Sequence, residues 1–151
     1  MRVIVKKFAP PILLDIARIL LRSSKSTKPK WETVQAGIFI DGGLFANRDN
    51  PYFQQMIEGV YDKYIYDSLD NKDLVGKILV DVGGHIGYHT CCFSRIAGPE
   101  GKTIVFGPNP FNVNRIRKHL DQNDISNVEI VQACASSREG TATFCFSKNI
   151  D

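Results

Sequence analysis

From Lys77 onward, short apolar runs alternate with amphipathic stretches. "KILVDVG" (77–83) is apolar enough, and short enough, for a buried parallel strand. "HIGYHTCCFSRIAG" (85–98) predicts a helix stopped by Gly98-Pro99. "GKTIVFG" (101–107) predicts a second strand. "NPFNVNRIRKHLDQN" (109–123) predicts a helix with Val113, Ile116 and Leu120 on one side, and "NVEIVQACAS" (127–136) a third strand. "GTATFCFS" (140–147) alternates and predicts a fourth strand, antiparallel to the others. Strand–helix–strand–helix–strand implies an α/β fold with a parallel sheet and right-handed crossovers.

The first half is less regular. "PYFQQMIEGVYDKYIYDSL" (51–69) has apolar residues at helical spacing, with Gly59 placed to bend or break the helix. "AGIFIDGGLFANRDNPY" (36–52) reads as a short strand, a Gly42-Gly43 turn and a loop, and Trp31 as a packing anchor at the start of the ordered body. "FAPPILLDIARILLR" (8–22) predicts an amphipathic helix opened by Pro10-Pro11, and "RSSKSTKPK" (22–30) a linker. The expected organisation is a basic N-terminal helix and linker (1–30), a cap segment (31–76) and a ligand-binding Rossmann-like unit (77–151).

Charge sharpens this division. Residues 1–30 carry eight Lys/Arg against one acid, Asp15, while residues 31–151 carry eleven Lys/Arg against fifteen acids. The basic character therefore belongs to the arm, which suits either a solvated terminus or peripheral contact with an anionic membrane through residues 8–22. Asp15 and Arg18 interrupt that apolar stretch, so it does not read as a membrane span or a secretory signal. The cysteines, Cys91, Cys92, Cys134 and Cys145, form no C-x-x-C pair, which argues against zinc and for a reduced, cytoplasmic setting. Cys134 and Cys145 read as small core residues in strands.

The stretch with the most chemistry is "ILVDVGGHIGYHT" (78–90). Gly83, Gly84 and Gly87 allow a tight turn and a close approach of backbone to ligand, the following helix offers N–H groups, and Asp81 supplies a carboxylate. The spacing differs from the dinucleotide fingerprint G-x-G-x-x-G, and no Gly-Lys-Ser/Thr phosphate loop is present. His85 and His89 are four apart, but Ile86 stands where a metalloprotease has Glu, so no metal site is expected. "RIRKH" (115–119) reads as a solvated basic face, with no nucleic-acid role expected.

Several pieces, in order and at the right separations, resemble the FkbM-type family of S-adenosylmethionine-dependent methyltransferases. They are "VDVGGHIGYHT", "GKTIVFGPNPFNVNRIRKHLDQNDISNVEIVQACAS", "EGTATF" and the upstream "MIEGVYDKYIYDSL". The resemblance implies a Rossmann-like class I methyltransferase fold of three layers, incomplete here: a parallel β-α-β-α-β unit plus an extra antiparallel strand. It implies S-adenosylmethionine as cofactor and methylation of a hydroxyl on a sugar, glycan or polyketide. The implied cofactor contacts are Tyr61, Asp81, Gly83, Gly84, His85, Gly87, Gly107, Asn109 and Ser136. Asp62 adjoins them, and Ser136 lies where the adenine edge would come. No catalytic base is identifiable.

Three positions depart from the family pattern. Gly84 replaces a usual Ala and His85 a usual Asn. Gly107 stands where the family has the Glu that grips the ribose hydroxyls, although the Asn109 amide offers a partial substitute. The later Asp-x-Glu-Gly motif is absent from the sequence. The expected partners are therefore a small-molecule or glycan acceptor and a completing polypeptide or oligomer. The competing reading is a catalytically inactive nucleotide-binding module.

Overall fold

A computed structural model describes residues 2–7, 31–34, 44–47, 50–69 and 74–145. The expected helix 8–22, the linker, the Gly42-Gly43 turn and residues 146–151 lie outside the described residues.

Strands β1 (Arg2–Lys7), β2 (Trp31–Val34) and β3 (Leu44–Asn47) are followed by helices α1 (Pro51–Ile57) and α2 (Lys63–Ser68). Then come β4 (Ile78–Val82), α3 (Tyr88–Ala97), β5 (Lys102–Phe106), α4 (Pro110–Gln122), β6 (Val128–Val131), β7 (Cys134–Ser136) and β8 (Gly140–Thr143). The predicted break in the 51–69 helix falls at Gly59, whose φ of 72° suits glycine. Gly98, with φ 70°, ends α3 as expected, and its N–H bonds the Ser94 and Arg95 carbonyls. Asn109 caps α4 by accepting from the Phe111 N–H, with Pro110 at the first helical position.

The parallel sheet has the order β4-β5-β6, with Asp81 beside Val105 and Val105 beside Ile130. Successive strands advance in one direction, so crossovers of one hand place both α3 and α4 on the same face. That face carries Leu79, Asp81, Thr103, Val105, Val128 and Ile130. Val105 and Thr103 are wholly buried there, and Ile116 and Leu120 of α4 join Val105 in the core. Ile78, Val80 and Val82 face the other way and are 64%, 37% and 46% exposed. Cover on that face is confined to the end of β5, where Phe106, paired with Val82, is buried. The antiparallel β2–β3 pair and α1 extend the core beyond the helices through Ala46, Phe53 and Met56. Burying each large apolar side chain contributes roughly 1.5–3 kcal/mol.

Three elements differ from expectation. The stretch 127–136 is two strands, broken at Gln132-Ala133, where the Ala133 N–H bonds the Val131 carbonyl. The strand at 140–147 is shorter, and it is antiparallel to β1 rather than joined to the parallel sheet. The first residues, read as part of a basic arm, form β1 at the centre of a second sheet ordered β7-β1-β8. Cys145, expected in a strand core, is exposed beyond β8, and Cys134 is half-buried. Cys91 and Cys92 are buried, and burial pushes both thiols up to about 12. Among the described residues no helix is long and apolar enough to cross a membrane.

Candidate functional site

The glycine turn joins β4 to α3 at the carboxyl ends of the parallel strands, where open α/β sheets place ligands. Its shape follows from φ. Gly83 and Gly87 sit at 88° and 93°, and His85 adopts 45°, a left-handed conformation uncommon outside glycine. Three anchors hold the turn. The Gly83 and Gly84 N–H groups both donate to the Phe106 carbonyl, at 2.8 and 3.2 Å. Thr90 Oγ1 donates to Asp81 Oδ2 at 2.6 Å. His119 Nδ1–H donates to the Ile86 carbonyl at 2.6 Å.

Gly84 is required by packing. A β-carbon there would meet Val105 Cγ2 at 2.3 Å, so the Ala usual in the resembled family does not fit this arrangement. At Gly87 a β-carbon would press Ile116 at 3.0 Å. Gly83 and Gly107 are different: a β-carbon at either would enter open space. No side chain caps the start of α3, since Gly87 is its N-cap.

Two cavities flank the turn. The smaller, about 100 Å³, is lined by Met56, Tyr61, Gly83, Gly84, His85, Ile86, Tyr88 and His89. The larger, about 230 Å³, is bounded by Gly107, Pro108, Asn109 and Asn112, by Val113 and Ile116 of α4, and again by Gly83 and His85. The bare backbone at Gly83 is thus the saddle between them.

The sequence-derived contacts fall into three groups. Tyr61, Gly83, Gly84, His85, Gly107 and Asn109 line one or both cavities. Asp81 and Gly87 line neither. Asp81 is buried beneath the turn, where it accepts from Thr90, and burial raises its carboxyl above the usual range against that opposing hydrogen bond. Ser136 lies in β7 opposite Lys7, and lines neither cavity. His85 sits in the turn rather than on a shared helical face with His89. Among the described residues no group of three or more His, Cys, Asp or Glu is arranged for a metal.

Two histidines carry more than the sequence suggested. His119, read within a solvated basic face, is wholly buried and pins the turn. The signal was its position three residues after Ile116, on the apolar side of α4. His89 is the second. Its Nε2 lies 3.1 Å from Asp62 Oδ2, and its Nδ1 is hydrogen-bonded to the Tyr66 hydroxyl. A Tyr66 O–H donating to Nδ1 and an Nε2–H donating to Asp62 satisfy both ring nitrogens in one tautomer. Asp62 reaches His89 from a left-handed backbone, φ 49°. Around the imidazole stand Tyr61, Tyr66, Tyr88 and Phe93, with ring centroids 5.4–5.9 Å away. Burial pushes the Tyr88 phenol up to about 12 and the Tyr66 phenol higher still, so both remain protonated at neutral pH.

Two asparagines before β6, Asn123 and Asn127, tie helix ends to neighbouring segments. Asn123 Nδ2 donates to the His119 carbonyl at the end of α4. Asn127 Nδ2 donates to the Ser94 and Gly98 carbonyls, tying the end of α3 to the start of β6.

No known family profile matches the sequence, and no curated protein matches it. Among solved structures, the chain is similar to a protein-L-isoaspartate O-methyltransferase over 40% of its own length and 19% of that chain. The identity is 22% and the TM-score 0.38. It is also similar to a SAM-dependent methyltransferase from Aquifex aeolicus, over 56% of this chain and 43% of that one, with 20% identity and a TM-score of 0.43. The chain therefore matches less than half the length of either structure.

Proposed function

We propose that the described unit holds S-adenosylmethionine and belongs to a methyltransferase whose acceptor is a hydroxyl on a sugar, glycan or polyketide. The acceptor class rests on the resemblance of the motifs to the FkbM-type family. The observation that carries the cofactor reading is the pair of unequal cavities meeting over Gly83, where any side chain would occupy the saddle. A ligand with a compact amino-acid end and a larger nucleoside end fits that asymmetry.

In this reading Gly107, Asn109 and Asn112 border the nucleoside, while Tyr61, His89 and the Gly83–Gly84 backbone border the sulfonium side. Asn109 Oδ1 is committed to capping α4, so its amide N–H groups are what it offers a ribose. When bound, the cofactor supplies an activated methyl group with its own leaving group, and the protein's part is positioning and exclusion of water. Asp81 acts one step back, by ordering the turn through Thr90.

Gly107 also supports a second reading, a nucleotide-binding module without catalysis, because the larger cavity lacks a carboxylate for the ribose. Calorimetric titration of the full chain with S-adenosylmethionine tests the main reading. Micromolar binding is expected, and absence of heat up to millimolar ligand overturns it. Gly107→Glu enters open space, so it is expected to tighten binding by about tenfold to a hundredfold. Unchanged or weaker affinity would mean the ribose lies elsewhere.

A further inference from the structure

The larger cavity departs from what a neutral sugar asks of its walls. Among the described residues that line it there is no Asp or Glu. In doubly wound sheets an acid at the end of the second strand holds the ribose hydroxyls, and its absence is what lets a phosphate approach. Gly107 stands at that place, and a side chain there would enter open space. From Gly101 to Leu120 the sequence has no acid and four Lys/Arg.

The polar groups that face the cavity are chiefly donors. Asn109 is only 8% exposed and stands in the cavity wall. Its Oδ1 accepts from the Phe111 N–H, which leaves the Nδ2 amide without a partner among the described residues. That amide is not sealed in the interior, so it opens on the cavity. Asn109 is also the N-cap of α4, a 13-residue helix with no acid in its first turn. Pro110 has no N–H and the cap takes that of Phe111. Asn112, in the cavity wall, keeps its backbone N–H unpaired among the described residues. The positive end of the α4 dipole therefore meets the cavity with no side-chain charge to balance it. His85 is the one ionisable side chain in this wall, and its charged form is a cation.

A ribose diol must donate as well as accept, and these walls offer its hydroxyl hydrogens little. A phosphate brings acceptor oxygens and negative charge, which an amide N–H and a helix N-terminus both favour. At about 230 Å³ the cavity has room for a phosphate with a sugar attached. We infer that the larger cavity is an anion site, in which Asn109 and the first turn of α4 recognise a phosphate group, free or carried on a nucleoside, in preference to an unphosphorylated ribose. The inference goes beyond the reading above and rests on it only in taking this chamber as the nucleoside's. A phosphorylated nucleoside is then a competitor of the cofactor.

Calorimetry on the full chain compares adenosine with its 2′-, 3′- and 5′-monophosphates and with inorganic phosphate. The best of the phosphates is expected to bind about tenfold to a hundredfold tighter than adenosine. A monophosphate ahead of inorganic phosphate assigns the site to a nucleotide, and equal affinity assigns it to the free ion. Asn109→Asp keeps the capping oxygen and exchanges the amide donor for a second negative oxygen. It is expected to remove the preference for phosphate, with thermal melts showing that the variant folds. Gly107→Glu separates the two classes of ligand, weakening phosphate binding at least about tenfold while tightening that of S-adenosylmethionine. Should S-adenosylmethionine fail to bind while a phosphate binds in an Asn109-dependent way, the cofactor reading fails and the anion site stands. Phosphates no tighter than adenosine, or phosphate binding that survives both variants unchanged, overturn the inference.

Discussion

The two faces of the parallel sheet are built from the same strands and behave as different materials. On one, Thr103 and Val105 are sealed under α3 and α4, and even an acid, Asp81, is buried. On the other, Phe106 is buried, but Ile78, Val80 and Val82 of β4 stay open beside the half-exposed Lys102–Glu129 ion pair. The strands alone do not decide this, since both faces carry apolar residues. The direction of strand order does: two crossovers advancing the same way stack both helices on one side. Stability and the candidate site are therefore concentrated on the covered face and at its carboxyl edge.

The contrast can be broken most forcefully at Ile116. Ile116→Ala empties a wholly buried position that also supports Gly87, and is expected to cost about 2–5 kcal/mol in urea unfolding. A loss below about 1 kcal/mol would mean that α4 is not seated as described.

His119→Ala comes next. It removes the bond to the Ile86 carbonyl and leaves that acceptor buried, costing about 1–3 kcal/mol and loosening ligand binding in both cavities. Equal affinity in the variant would separate the turn from α4.

Asp81→Asn sharpens the comparison through pH. Burial raises the folded carboxyl above its 3.8 reference, so the folded state holds the proton more tightly than the unfolded chain. Its contribution to stability is therefore most favourable below that reference and declines as pH rises through the folded value. The variant is expected to gain on the wild type between acid and neutral pH. Parallel stability profiles from pH 3 to 8 would contradict a burial-dominated environment.

The smallest effects belong to the open face. Val80→Thr and Glu129→Ala are each expected to change stability by less than about 0.5 kcal/mol, measured by thermal melts. A larger loss at Val80 would reveal a cover on that face.

Much of the core unit was legible because its signals are local. The apolar run before Asp81, the glycines after it, Gly59, Gly98-Pro99 and Asn109-Pro110 each fix an element boundary within a few residues. What escaped was non-local. Strand β1 pairs with Cys134–Ser136 and Gly140–Thr143, far along the chain, and its lysines and arginine disguised it as part of a charged arm. The break at Gln132-Ala133 belongs to that pairing, because β7 leaves the parallel sheet to join β1.

The site divided the same way. Its backbone, the bare turn, could be read from glycine spacing. Of its side-chain walls, Tyr61, His85 and Asn109 came from the resemblance, but the Asp62–His89–Tyr66 arrangement did not, because His89 lies more than twenty residues from both partners. His119 was hidden by sitting directly after Arg117 and Lys118, which are exposed.

The hydrogen bond from His119 to Ile86 does more than steady a loop. Val113 and Ile116 of the same helix wall the larger cavity, and Ile86 walls the smaller one. One side-chain bond thus ties the helix that walls the larger chamber to the residue that walls the smaller one.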